Sequence, residues 1–225
     1  MVDAWLAVLW VAILVGGLAV AYGLGRRGMK RTHVRDVLHV GAGLWPLGWP
    51  DWQGVFAPLA IVWVAFLGMA AVPALARRTR WAALLRDSVS SAEERFSGLI
   101  LYTLSVAVLT TVGLLGVAFA AAGALLALAL GDGVGGAVGL AFGRHRFRVP
   151  GGKTKSLEGS LAVAVFSSVG VLLAARWFSV PLGFGVTVLA GLLAALAEAL
   201  APRATDNVVL PASVFCLLVF FRAAA

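Results

Sequence analysis

A chain of 225 residues that is 61% hydrophobic, only 12% charged and carries a formal net charge of +8 is a poor fit to a soluble globular domain. It has room for up to eight membrane spans and for no sizeable soluble domain, so it reads as a single polytopic membrane domain over 1–225. Its single cysteine, Cys216, rules out an internal disulfide and a cysteine-built metal site, and nothing in the chain has a nucleic-acid signature.

Apolar runs bounded by charges predict an all-α bundle with spans over 4–24, 33–49, 52–76, 97–115, 117–143, 158–177, 180–200 and 207–222. The first follows Asp3 with no basic segment before it, which favours a permanent helix over a secretory leader. The second is short and interrupted by Gly41, Gly43 and Pro46, and Trp45, Trp49 and Trp52 are expected to form an interfacial belt around Pro50 and Asp51. The fourth and fifth together are too long for one helix and are expected to divide near Gly113 or Gly116. With the N-terminus outside, 16 of the 18 Lys and Arg residues fall on one side, in loops around Arg26 to Arg35, Arg77 to Arg95, Arg144 to Lys155 and at Arg203. The positive-inside rule makes that side the cytoplasm, with the chain in the cell membrane.

Most acids share that side: Asp36, Asp87, Glu93, Glu94, Asp132, Glu158, Glu198 and Asp206, whereas Asp3 and Asp51 face out. Asp132 and Glu198 fall within expected spans, where an ionisable group costs about 2.5–3.5 kcal/mol on insertion scales and needs a wet cavity or a partner. Around Asp132, Gly131, Gly135, Gly139 and Gly143 recur every four residues, a small-residue packing pattern, while Gly136 and Gly139 share a face with the acid. Glu198 has a similar small-residue setting but lies close enough to Arg203 to snorkel.

The loop from Arg144 to Ser160 contains Gly-Gly-Lys-Thr-Lys-Ser, yet Phe147 stands where a phosphate-binding P-loop needs glycine and no strand of a soluble domain precedes it. What remains is a mobile, basic segment whose Lys153, Lys155 and Ser156 could wrap phosphate oxygens at the start of the next helix. Glu158 in that first turn either complements the helix dipole or binds metal. His39 at the second span is a lone histidine, and Asp206-Asn207 opens the last span either as a cap pair or as a metal-holding carboxylate and carboxamide.

Over most of its length the chain resembles the membrane family of CTP-dependent lipid kinases that includes dolichol, phytol, farnesol and diacylglycerol kinases, distantly related to phosphatidate cytidylyltransferases. The resemblance is carried by Asp132 to Gly139, Phe142-Gly143 and Lys155-Ser156-Leu157-Glu158-Gly159-Ser160, which match the family's Asp-x-x-Ala/Gly-x-x-x-Gly, Phe-Gly and Lys-x-Leu-Glu-Gly-Ser. Arg35-x-x-x-His39, Glu94-Arg95 with Gly98 and Tyr102, and Glu198 followed by Asp206-Asn207 and Pro211 support it. Asp36 departs from the family's basic residue, and Gly135 replaces a usual alanine.

The resemblance implies an enzyme that uses CTP and Mg²⁺ on a lipid at the cytoplasmic leaflet, with a homo-oligomer left open. It gives catalytic roles to Asp132, His39 and Glu198, phosphate contacts to Lys153, Lys155, Arg35, Ser156 and Asn207, and metal binding to Asp132, Asp206 and Glu158. Cytidylyl transfer releasing pyrophosphate is the nearest rival chemistry. A small transporter or flippase using Asp132 and Glu198 as an ion site is the rival of another class.

Overall fold

The computed structural model describes residues 1–89, 96–150 and 154–223, so Lys153 and the Glu94-Arg95 pair lie outside the described residues. Nearly all of it is helix, and four helical runs are long and apolar enough to cross a bilayer: α1 (Val2–Arg26), α3 (Phe56–Leu75), the run Ser97–Phe142 and α8 (Leu157–Trp177). A straight rod of the 46 residues in Ser97–Phe142 would be roughly 69 Å long, over twice the hydrocarbon thickness. Gly116 resolves the mismatch, with φ 158° and ψ −19° far from helical values. A Cβ placed on Gly113 would lie 2.9 Å from that of Ala121, although eight residues of straight helix cover about 12 Å. The chain therefore folds back here, separating α5 (Ser97–Val112) from α6 (Ala118–Ala127) and α7 (Gly133–Phe142) where the sequence places the division.

The second expected span is a 13-residue helix, α2 (Arg31–Gly43), followed by a 3₁₀ segment over Trp45–Asp51. Its tryptophans correct the expected interfacial belt, because Trp45 and Trp49 are only 4% and 3% exposed. They wedge into the fold-back instead: Trp49 lies against Gly113, the Trp45 Nε1–H donates to Thr110 Oγ1 at 3.1 Å, and Trp10 stacks edge-on at 4.7 Å. The basic loop after α3 also contains a helix, α4 (Arg80–Val89), that the apolar-run reading passes over. Too short and too charged to span, it packs on α1, α2 and α3 through buried Ala82 and leaves Trp81 and Leu84 exposed.

At the centre lies α6, whose residues from Phe119 to Ala127 are all buried. Its alanines and Gly123 let α8 and α10 (Asp206–Ala223) approach closely; Gly123 faces Leu218, and Gly170 of α8 meets the backbone of Leu126. Lipid tails are as apolar as leucine, so small residues that permit such contact are what hold membrane helices together. Helix α9 (Phe184–Leu200) packs between α8 and α10.

The loop expected to be mobile is a short β-hairpin, the one addition to the all-α fold among the described residues. Strands β1 (Arg146–Arg148) and β2 (Thr154–Ser156) pair antiparallel with Phe147 opposite Lys155. Two flanking groups brace it: Leu157 N–H donates to the His145 carbonyl at 3.0 Å, and Glu158 accepts from the Arg144 amide at 3.1 Å.

Candidate active site

The glycines around Asp132 have one mechanical role and the acid has another. Gly131, Gly135, Gly139 and Gly143 form a row against α8, facing Ser167, Val163, Gly159 and Ser156 in turn; a Cβ at Gly131, Gly135 or Gly143 would collide with its partner, and one at Gly139 would just touch Gly159 at 3.4 Å. That row is the packing surface. Gly136, one residue off it, has nothing within 4 Å of where its Cβ would stand.

Between α6 and α7 the helix widens into a π turn over Leu128–Asp132, which ends on Asp132 itself. Such a turn accommodates an extra residue and leaves carbonyls poorly matched to their usual amides, so they need other donors. Two side chains meet them: Ser167 Oγ–H donates to the Ala127 carbonyl at 3.0 Å, and His39 Nε2 approaches the Leu128 carbonyl at 3.3 Å. A carbonyl only accepts, so His39 Nε2 carries the proton. The same nitrogen is 3.7 Å from Asp132 Oδ2. The His39 ring is stacked on Tyr102 with centroids 4.1 Å apart, and the Tyr102 hydroxyl donates to the His39 carbonyl at 2.7 Å.

Three carboxylates from three helices converge at this point. Asp132, Glu198 near the end of α9, and Asp206 at the first position of α10 each place an oxygen within 4.8 Å of the others. Their meeting places Asp132 beside the start of α10. Beyond α7 the chain returns through the hairpin. That return brings Lys155 into an ion pair with Glu198.

Oxygen donors dominate the cluster. The Asp206 carboxylate accepts from the Asn207 backbone at 3.0 Å and from the Asn207 carboxamide at 3.3 Å, and Ser105 Oγ–H donates to the Asn207 carbonyl at 2.7 Å. With its Nδ2 committed to Asp206 and to the Ala204 carbonyl, the buried Asn207 Oδ1 has no hydrogen-bond partner among the described residues. Three clustered carboxylates plus an orphaned amide oxygen are a hard donor set of the kind Mg²⁺ takes.

Other residues singled out in the sequence lie elsewhere. Glu158 binds His145 Nδ1 at 2.7 Å and the Arg144 and His145 amides, so among the carboxylates expected to bind metal it is the one not brought to the cluster; Glu198 stands there instead. Ser156 is buried as the N-cap of α8 and accepts from the Gly159 amide at 3.1 Å. Arg35 contacts Asp36 at 3.4 Å. The sequence reading gave no role to Ser167 or to the carbonyls of the π turn, since the need for them arises only once the helix widens.

The chain is 32% identical over 195 residues to the phytol kinase of Synechocystis sp., an alignment that takes in 82% of this chain and 76% of the relative. No protein-family profile and no solved structure matches it.

Proposed function

Because the chain belongs to the phytol kinase family, a family of membrane enzymes, we propose that it transfers the γ-phosphoryl group of CTP to the hydroxyl of a membrane lipid alcohol. Phytol, farnesol and polyprenols are the acceptors this reading favours, with diacylglycerol as the non-isoprenoid alternative, and the products are a lipid phosphate and CDP. The observation that carries it is the convergence of Asp132, Glu198 and Asp206 within 4.8 Å of one another, with Lys155 of the basic hairpin beside them.

Phosphoryl transfer needs positioning and charge neutralisation more than covalent chemistry. Asp206, Glu198 and the Asn207 carboxamide are the groups to hold a divalent cation, which when bound supplies positive charge to the phosphate oxygens. Lys155, which pairs with Glu198 beside the cluster, would contact the nucleotide phosphates. Asp132 orients the attacking hydroxyl and accepts its proton as the new P–O bond forms and the β,γ bridge breaks. His39, whose Nε2–H is directed to the π turn and whose ring is fixed by Tyr102, holds the acid in place. The basic loops favour the cytoplasmic leaflet of the cell membrane, the side on which CTP is available.

Purified protein given γ-labelled CTP, Mg²⁺ and a panel of lipid alcohols and phosphatidic acid tests this. Label on an alcohol with release of CDP is the expected result. Pyrophosphate with a CDP-lipid would replace the kinase by a cytidylyltransferase, and solute movement in liposomes without nucleotide turnover would replace the enzyme by a transporter.

A further inference from the structure

Helix α2 presents two faces with different neighbours. His39, Val40 and Gly43 face the residues 128–133, whereas Val37, Leu38 and Gly41 line an apolar cavity of about 270 Å³ enclosed by α1, α2, α3 and α5. The cavity has an outer and an inner end. Val20 and Val37, 56% and 51% exposed, place one end at the lipid-facing surface between α1 and α2. Tyr102, 3% exposed, closes the other. Tyr102 touches both compartments, because its ring lines the cavity and also stacks on His39, which is 3.7 Å from Asp132.

We propose that this slot holds the hydrocarbon tail of the acceptor alcohol, with the hydroxyl end passing Tyr102 toward Asp132 and the far end of the chain emerging into the bilayer between α1 and α2. The proposal rests on the lipid-alcohol reading above. Three features point to this occupant. Apart from Tyr102 and Thr103 the lining is apolar, the slot opens to the membrane, and it ends at Tyr102, which touches the His39 beside Asp132. Its volume limits what it reads. At roughly 30 Å³ per water-sized group, it holds on the order of nine such groups, about the carbon content of two isoprene units. The protein therefore discriminates among the first ten or so carbons and is indifferent to the length of the remaining tail.

Gly41 lines the slot, and a Cβ there would meet nothing within 4 Å, so Gly41→Leu adds side-chain volume at the slot from a position where the first added atom has room. The experiment measures kcat/KM for isoprenoid alcohols of one to four isoprene units, in wild type and in Gly41→Leu. In the wild type the constant rises from one unit to two and then levels off. In the variant the ratio of the two-unit to the one-unit alcohol falls at least tenfold; because membrane partitioning is common to both proteins, it cancels in that comparison. An unchanged ratio, or a rise that continues through four units in the wild type, overturns the proposal. A second measurement is independent of turnover: a four-unit alcohol with a diazirine in its second unit labels the segments that line the slot, Trp10 to Val20, Val37 to Gly41, Ile61 to Ala65 or Tyr102 to Val106. Label confined to other segments also overturns it. If no alcohol is phosphorylated yet the label maps to the slot, the kinase reading fails and the slot stands.

Discussion

The two ends of this bundle are built on different polar atoms. At the tryptophan end they are neutral: Trp45 donates to Thr110, Trp63 to Thr111 at 3.1 Å and Trp177 to the Leu47 carbonyl at 3.0 Å, while the buried Trp49 and Trp52 Nε1 find no hydrogen-bond partner among the described residues. At the other end they are charged: three carboxylates share a space of less than 5 Å beside one lysine. A neutral indole N–H left unpaired costs about 1–3 kcal/mol and calls for no ligand. A cluster like the second is costly until a cation and phosphates arrive, so its geometry has to be imposed by the helices around it. The difference shows which end the fold secures and which it keeps ready to bind.

Substitutions at each end can break that contrast. The largest effect belongs to Asp132→Asn, which should lower turnover by about 10²- to 10⁴-fold, the range a positioned general base contributes. Its thermal unfolding in detergent should stay near wild type, and near-normal turnover would remove Asp132 from the site. Lys155→Ala should raise KM for the nucleotide by roughly ten- to a hundredfold, read from initial rates against CTP, because a charged phosphate contact is worth about 1.5–3 kcal/mol. A change confined to kcat would move Lys155 from nucleotide binding to positioning Glu198.

Two adjacent glycines sharpen the same contrast on one helix. A Cβ at residue 135 collides with Val163, so Gly135→Ala should destabilise by about 1–3 kcal/mol. A Cβ at residue 136 meets nothing, so Gly136→Ala should be neutral or gain up to about 1 kcal/mol in helix propensity. Melting curves of the pair decide it, and equal effects would show that the row against α8 is not what holds α7. The smallest effect is expected at the tryptophan end: Trp63→Phe loses one hydrogen bond, about 1 kcal/mol of stability, with turnover within twofold.

How much of this is legible in the sequence depends on range. Apolar runs locate the helices, and the length limit on one helix places a division at Gly113 or Gly116 that the backbone makes at Gly116. The four-residue glycine spacing marks a packing face because it is local and periodic. Asp132, Glu198 and Asp206 can be singled out one by one as charges in or near apolar spans, but their meeting depends on how α7, α9 and α10 cross, which no local pattern carries. The tryptophans mislead because an interfacial belt and a tight aromatic wedge use the same residues. What distinguishes them is Gly113, sixty-odd positions away, whose missing side chain makes room for Trp49. The hairpin escapes a reading based on mobile glycines because Glu158, two residues beyond β2, clamps its base.

The π turn ending at Asp132 has a consequence in terms of counting. In a regular helix each residue turns the next by about 100°, so one position more or less swings a side chain to a different side of the rod. The wide turn holds a spare position, and removing one residue from 128–131 could leave the helix apolar, continuous and well hydrogen-bonded. It would also turn the carboxylate about a quarter of the way round, away from Glu198 and Asp206, or shift the glycine row off α8. Catalytic aim and helix packing are set by the same number of residues here, which makes a deletion at this point far more damaging than its apolar composition suggests.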